Sequence, residues 1–169
     1  MGGLLSSILT DKNAEKTGVW VTYTDVVNDD GTYPEFCIKR VSFANSGYQA
    51  KIAKQLKILN AISEKGSDVD EKEFESLTNA TQQLGIEYAK NFLVGWRNFK
   101  LSAKVDAKGK VIKENGVPVC EEYEYSEERA EALLSDSNPN ASALLGWLTS
   151  QSSDVTNFLV DKRNKDLKR

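Results

Sequence analysis

The sequence has no histidine, and it has only two cysteines and three prolines among its 169 residues. Without histidine the chain lacks the usual general base, the commonest metal ligand of proteins and the usual serine and cysteine triads. Cys37 and Cys120 do not form a CxxC pair, which favours reduced, partly buried thiols over a metal site or a disulfide framework. These absences predict a chain with no catalytic residue and no metal site.

The glycines and carboxylates also form no recognisable chemical motif. The 11 glycines match neither a phosphate-binding loop nor a dinucleotide fingerprint, so no cofactor is expected. Acidic pairs such as Asp29-Asp30 and Glu127-Glu128 fall in predicted turns or helix starts, whereas a hydrolase needs two carboxylates held apart across a cleft. We therefore expect a protein that is not an enzyme, with a hydrolase or nuclease as a minor alternative.

Charge and hydropathy argue against nucleic acid and membrane as partners. The formal net charge is −3, and the one basic cluster, in the C-terminal tail, is interrupted by Asp161 and Asp166. A duplex-binding domain instead presents a basic face to the phosphates. No apolar run approaches the ~18 residues that a membrane span needs. With 40% hydrophobic and 28% charged residues, the composition is that of a globular domain.

Period-two alternation near the N-terminus predicts a β-hairpin. Val19, Val21 and Tyr23 alternate with their neighbours, and a similar pattern surrounds Phe36 and Ile38. The expected strands are 18–25 and 35–43, joined across the turn sequence Asn-Asp-Asp-Gly at 28–31. Since an isolated hairpin is marginal in water, it must pack on helices or pair with another chain.

Apolar spacings of three and four predict helices at 46–64, 69–99, 127–135 and 139–163. Asp68 with Glu71 has capping-box spacing, Ser126 is a favourable N-cap, and Asn138 followed by Pro139 is a clear helix start. The longest helix would carry its apolar residues along one face and two internal glycines, Gly85 and Gly95, which indicate close packing or a bend. The apolar residues of that face are Phe74, Leu77, Leu84, Tyr88, Phe92 and Trp96.

Together these elements predict an α+β fold that is predominantly α-helical. An N-terminal β-hairpin is expected to pack on a bundle of about four helices, with a small β or irregular insertion at about 101–125 marked by the turn signals Lys-Gly and Asn-Gly. The domain organisation predicted is an N-terminal arm at 1–16, a single globular domain at 17–163 and a charged tail at 164–169.

Several apolar residues are candidates for contact with another protein. Large aromatic side chains fill cores, but they also dominate binding surfaces, so the tryptophans leave both roles open. Apolar surface on the hairpin or the arm would serve self-association and a helical client. The candidate protein-contact residues are Leu4, Leu5, Trp20, Tyr23, Phe36 and Trp147.

The stretch from 88 to 134 carries a spaced pattern that spans three segments. Residues 88–99 read YAKNFLVGWRNF, residues 115–119 read NGVPV, and residues 124–134 read EYSEERAEALL. The order of these segments, followed by a proline-initiated helix, resembles the tail assembly chaperones of long-tailed (siphovirus-type) bacteriophages. The residues that carry this pattern are structural: Gly95, Trp96, Ser126, Leu133 and Leu134.

This resemblance implies a non-enzymatic assembly factor. Such a protein would bind the tape-measure protein, help to recruit tail-tube subunits, self-associate, act in the host cytoplasm and be absent from the mature virion. The alternative is a structural virion protein of the head–tail connector or tail terminator type, which would fit the same length and acidity.

Overall fold

The fold is α+β and mostly helical, as predicted, in a computed structural model that describes residues 8–41 and 46–160. Three antiparallel strands form the main sheet, and two very short strands form a second one. The helices are α1 (Lys12–Thr17), α2 (Ser46–Ser63), α3 (Glu71–Asn91), α4 (Glu127–Leu134) and α5 (Pro139–Ser153), followed by a 3₁₀ helix (Val155–Phe158). The strands are β1 (Val19–Thr22), β2 (Glu35–Ile38), β3 (Leu93–Arg97), β4 (Lys113–Glu114) and β5 (Val117–Pro118).

The predicted hairpin is confirmed, with shorter strands, and it gains a third strand. In the order β1-β2-β3, Val21 pairs with Phe36, and Phe36 pairs with Trp96. The prediction that 93–97 continues the long helix is wrong. Leu93 and Trp96 are apolar residues three positions apart, a spacing that suits a helix as well as a bulged strand. The strand is favoured because Gly95 weakens a helix and because the edge of β2 offers hydrogen-bond partners.

The core lies between the inner face of the sheet and helices α3, α4 and α5. Tyr88 is fully buried at its centre, and its hydroxyl lies 2.6 Å from the Ser152 hydroxyl while donating to the Leu148 carbonyl at 3.1 Å. Burial raises the pKa of Tyr88 well above its usual range. A neutral tyrosine that makes two hydrogen bonds therefore joins α3 to α5 inside a mostly apolar core.

Helix α2 agrees with prediction, and α3 differs from it at both ends. The N-cap of α3 is Asp70, whose carboxylate accepts from the Glu73 amide at 2.8 Å, and not Asp68 as expected. Close packing at Gly85 is confirmed, because a Cβ there would collide with the carbonyl of Leu134 in α4. The same expectation is wrong for Gly95, which lies on β3 with open space beside it.

Helix α4 begins as predicted, with Ser126 as its N-cap. The Ser126 hydroxyl accepts from the Arg129 amide at 3.1 Å. Helix α5 also begins as predicted, with Asn138 as N-cap and proline at the first position. However, α5 ends at Ser153 and does not continue to 163, because Asp154 leaves the helical conformation and caps the 3₁₀ helix by accepting from Thr156. Positions 161–163 lie outside the described residues.

Residues 10–16 of the predicted N-terminal arm pack on the rest of the chain. The Asp11 amide donates to the Phe158 carbonyl at 2.7 Å, and Ala14 is part of the core. The Arg40 guanidinium contacts the Glu15 carboxylate at 2.6 Å. The division of the chain into an arm, a domain and a tail stays a prediction.

Residues 100–122, here named the ribbon, correspond to the predicted β insertion. Its base is a bridge between Lys100 and Glu122, and Val105 pairs with Val111 nearer its tip. Strands β4 and β5 complete it around Asn115-Gly116, where both residues have positive φ, as a type I′ hairpin turn requires.

Candidate functional site

Trp20 is the one predicted contact residue among the described positions that is clearly exposed, with 43% of its surface accessible. It lies on the outer face of the sheet, and the Arg97 guanidinium sits 4.1 Å from its ring centroid. Arg97 in turn donates to the Glu35 carboxylate at 2.9 Å. Tryptophan and arginine are enriched at binding hot spots, so this row of three side chains is a candidate contact surface.

Tyr23 and Phe36 are buried, which corrects their assignment as contact residues. Phe36 is 0% exposed, and its ring meets Phe99 edge-on with the centroids 5.7 Å apart. Trp147 is half-buried and covers both residues, with its ring 4.8 Å from that of Tyr23 and 6.4 Å from that of Phe36. Their physical role is core packing, because each points from its element toward the centre of the domain.

The other predicted contact residues, Leu4 and Leu5, lie outside the described residues. Ile8 and Leu9, which follow them, are exposed. The Leu9 carbonyl accepts from the Val160 amide at 3.1 Å, so this segment lies beside the end of the 3₁₀ helix.

The residues of the family-type pattern occupy structural positions. Trp96 is buried, and its indole donates to the Tyr123 carbonyl at 2.6 Å, which fixes β3 to the segment before α4. Leu134 is buried against Gly85, and Leu133 is partly buried at the edge of the core. Ser126 caps α4, and Gly95 provides an uncovered position on β3.

A groove of about 400 Å³ lies between the sheet and the α4–α5 connection. Its walls include Val26 and Pro34 from the β1–β2 connection and Leu133 and Leu144 from the helices, while Asn28, Lys100 and Asp136 are among its polar residues. An apolar cleft with a few polar groups at its margin is the usual form of a binding site, although its volume is at the small end of the range of about 300–1,000 Å³.

A polar clamp closes one side of this groove, and sequence reasoning missed it. The Asn28 amide group donates to the Asn98 carbonyl at 2.7 Å, and Lys100 pairs with Asp30. The hydrogen bond from Lys100, with a second from Thr32, lowers the pKa of Asp30 to about 2. The turn signal at 28–31 was correct, but its partners are 70 residues away in the chain.

The most exposed aromatic side chain of the described residues lies on the hairpin of α2 and α3. At the end of this hairpin that joins the core of the domain, Tyr48 packs edge-on against Phe92 with the ring centroids 4.5 Å apart, and Tyr88 is fully buried. At the distal end, Phe74 on the same face of α3 is 63% exposed. We call this distal part, residues 53–63 and 71–84, the overhang.

Pairing between α2 and α3 covers part of the overhang but leaves single apolar side chains of both helices exposed. Ile62 and Ala80 are buried between the two helices. An open pocket of about 310 Å³ lies at the end, lined by Ile58 and Ile62 from α2 and by Lys72, Glu73 and Ser76 from α3. Leu56 is a further exposed apolar residue of α2. Phe74 does not line this pocket, whose α3 wall is polar, so the pocket and the exposed ring are separate features of the overhang.

Within the part of the chain that the structure describes, no three His, Cys, Asp or Glu side chains are grouped so that they could hold a metal ion. The helices were also searched for membrane spans, and in the described ranges none is long and apolar enough to cross a bilayer.

Comparisons with known proteins identify no relative: no family model, no curated protein and no solved structure matches this chain.

Proposed function

We propose that this chain is a non-enzymatic tail assembly chaperone of a long-tailed bacteriophage. It would bind helical segments of the tape-measure protein in the host cytoplasm, help to recruit tail-tube subunits and be absent from the finished virion. The single observation that carries this proposal is the exposed ring of Phe74, which is 63% accessible on the face of α3 that carries Tyr88 in the core.

The overhang suits a helical client for geometric reasons. On α3, Phe74 and Leu77 continue the face that carries Tyr88 in the core, since residues three, four and seven apart lie on one side of a helix. Where the body ends, this face has no covering helix among the described residues. A client helix could pack there at the usual interaxial distance of about 8–10 Å, burying apolar surface on both partners.

The sequence pattern at 88–134 supports the same proposal from a different direction. Trp96, Ser126 and Leu134 each have a structural task in joining β3, α4 and α3. A pattern made of residues that define the fold is evidence for shared architecture, and the chaperone role follows from the resemblance that this pattern carries.

The proposal predicts that Phe74→Ser weakens capture of the tape-measure protein. The test is co-expression of the tagged chain with the tape-measure protein of the same genome, followed by affinity purification and titration with purified tape-measure segments. Losing a buried phenylalanine at the contact, worth about 2 kcal/mol, should weaken binding about thirtyfold. Stability should change by less than about 0.5 kcal/mol, because the side chain is exposed in the free protein.

The matched control is Val155→Ser, which removes an exposed apolar side chain from the 3₁₀ helix, away from the overhang. This variant should capture the tape-measure protein as well as the unchanged chain does. Equal capture by the Phe74 variant, or no capture by the unchanged chain, would contradict the proposed docking face.

A further inference from the structure

The two ends of the ribbon carry opposite charges. Residues 107–113 at the tip contain three lysines and no acidic residue, and residues 121–128 at and beyond the base contain five glutamates and no basic residue. Lys108, Lys110 and Lys113 are exposed, and none of them forms an ion pair with another residue in the described ranges. The tip therefore presents three lysine side chains without an ion-pair partner among the described residues, beside one carboxylate, that of Asp106, which accepts from the Lys108 and Lys110 amides.

The acidic end is also largely unmatched. Glu121 contacts Lys104 at 3.8 Å, and Glu122 accepts from the Phe99 amide at 3.2 Å. The remaining three acids, Glu124, Glu127 and Glu128, are exposed and form no ion pair within the described part of the chain. Next to them, Arg129 lies 4.6 Å from the Tyr123 ring centroid and donates to the Glu124 carbonyl, so its guanidinium is engaged locally.

Exposed apolar side chains lie between the charged ends. Val105 and Val111 face each other across the ribbon, and both are exposed. Such short strands cannot bury their own apolar residues, and exposed apolar side chains are frequent at interaction sites. The exposed apolar residues of the ribbon, each between 40% and 56% accessible, are Leu101, Val105, Val111, Ile112 and Val117.

We propose that the ribbon pairs with the ribbon of a second copy of this chain, antiparallel, in a two-fold symmetric dimer. In this arrangement the basic tip of each copy meets the acidic base of the other, and the apolar middles bury one another. A parallel arrangement would place like charges together and is disfavoured. The two-fold dimer is also the commonest closed assembly, because one self-complementary surface serves both copies.

A second copy fits better than an unrelated acidic protein, because the chain itself carries both complementary halves, and in the described ranges Glu121 alone of these charged residues forms an ion pair. The ribbon is long enough for this pairing: the seven steps from Lys100 to the tip near Ala107 span about 23 Å in an extended strand, so a tip can reach the partner's base. The inference concerns a surface other than the overhang, and it does not rest on the proposed function.

Reversing the charges at one end of the ribbon tests this pairing. The tip variant carries Lys108→Glu, Lys110→Glu and Lys113→Glu, and the base variant carries Glu121→Lys, Glu124→Lys and Glu128→Lys. Sedimentation equilibrium should show the unchanged chain at twice its mass of 18.8 kDa. Either variant alone should dimerise about a hundredfold more weakly, because like charges then meet at both contacts.

Mixing the two variants in equal amounts should restore a dimer. One copy then has an acidic tip and an acidic base, the other has a basic tip and a basic base, and both contacts of the mixed pair are complementary. No generic effect of net charge on solubility or folding requires this recovery to occur at the dimer mass. The matched control for the tip variant reverses Lys51, Lys54 and Lys57 on α2, which lowers the net charge by the same amount and should leave the dimer intact.

A monomeric unchanged chain at about 0.1 mM, a concentration well above the dissociation constant of a specific dimer, would overturn the proposal. So would a variant that keeps the dimer, or a mixture that stays monomeric while both variants are folded by circular dichroism. If the base variant does not fold, the neutral variant Glu121→Gln with Glu124→Gln and Glu128→Gln replaces it, with an expected weakening of about tenfold. Phe74-dependent client capture is measured separately, so either proposal can fail alone.

Discussion

Replacing Phe36 with alanine is expected to lower the free energy of unfolding by about 3–5 kcal/mol, the usual cost of a large cavity in a core. Phe36 is 0% exposed and lies on the central strand, where its ring contacts Tyr23, Trp96, Phe99 and Trp147. Removing the ring leaves a cavity that four rigid aromatic neighbours cannot easily fill. Differential scanning calorimetry should show a Tm lower by about 6–20 °C for a chain of this size.

Trp20→Ala is the matched control, since it removes a still larger aromatic side chain from the neighbouring strand of the same sheet. Trp20 is exposed on the outer face, where its main contact is the Arg97 guanidinium. An exposed cation–π pair contributes about 0.5–1 kcal/mol, so the Tm should fall only slightly. Equal losses for the two variants would mean that the sheet does not bury the face described above.

Gly85→Ala is expected to destabilise the protein by about 1–3 kcal/mol or more, although alanine is the better helix former. The added methyl group would overlap the Leu134 carbonyl, which is backbone and therefore cannot rotate away. Helices α3 and α4 would have to separate, which also disturbs Leu134 in the core. Urea unfolding should show a lower midpoint with a similar slope.

Gly146→Ala is expected to have the opposite effect on stability, although Gly146 also lies within a helix. Gly146 lies in α5, and a Cβ there would find nothing within 4 Å. Relief from the low helix propensity of glycine should stabilise the protein by up to about 1 kcal/mol. If both glycine variants were stabilised, the close approach of α4 to α3 at Gly85 would be refuted.

Local signals in the sequence predict the helix starts well. Ser126 and Asn138 cap α4 and α5 as expected, because their side-chain oxygens satisfy amides that no helical carbonyl can reach. The ends are less predictable. The strand β3 continues the apolar spacing of α3, and only pairing with β2, which is distant in sequence, decides that Leu93–Arg97 is extended.

The binding surfaces are less predictable than the fold, since composition does not determine which face is covered. Trp20 and Tyr23 are an odd number of residues apart, so the period of a strand places them on opposite faces of the sheet. The face of the sheet that carries Tyr23 is buried, because Trp147 of α5 packs against Tyr23. The exposure of Phe74 has the same origin, because nothing in its helical spacing reveals where the body of the domain stops.

The chaperone that we propose would serve tail assembly and then leave the tail. Quantitative mass spectrometry of an infected-cell lysate and of purified virions from the same culture tests this most directly. We predict that the chain co-purifies with the tape-measure protein from the lysate and is missing from the virions. A fixed number of copies in every virion would contradict the chaperone role and would instead indicate a structural protein of the connector or tail terminator type.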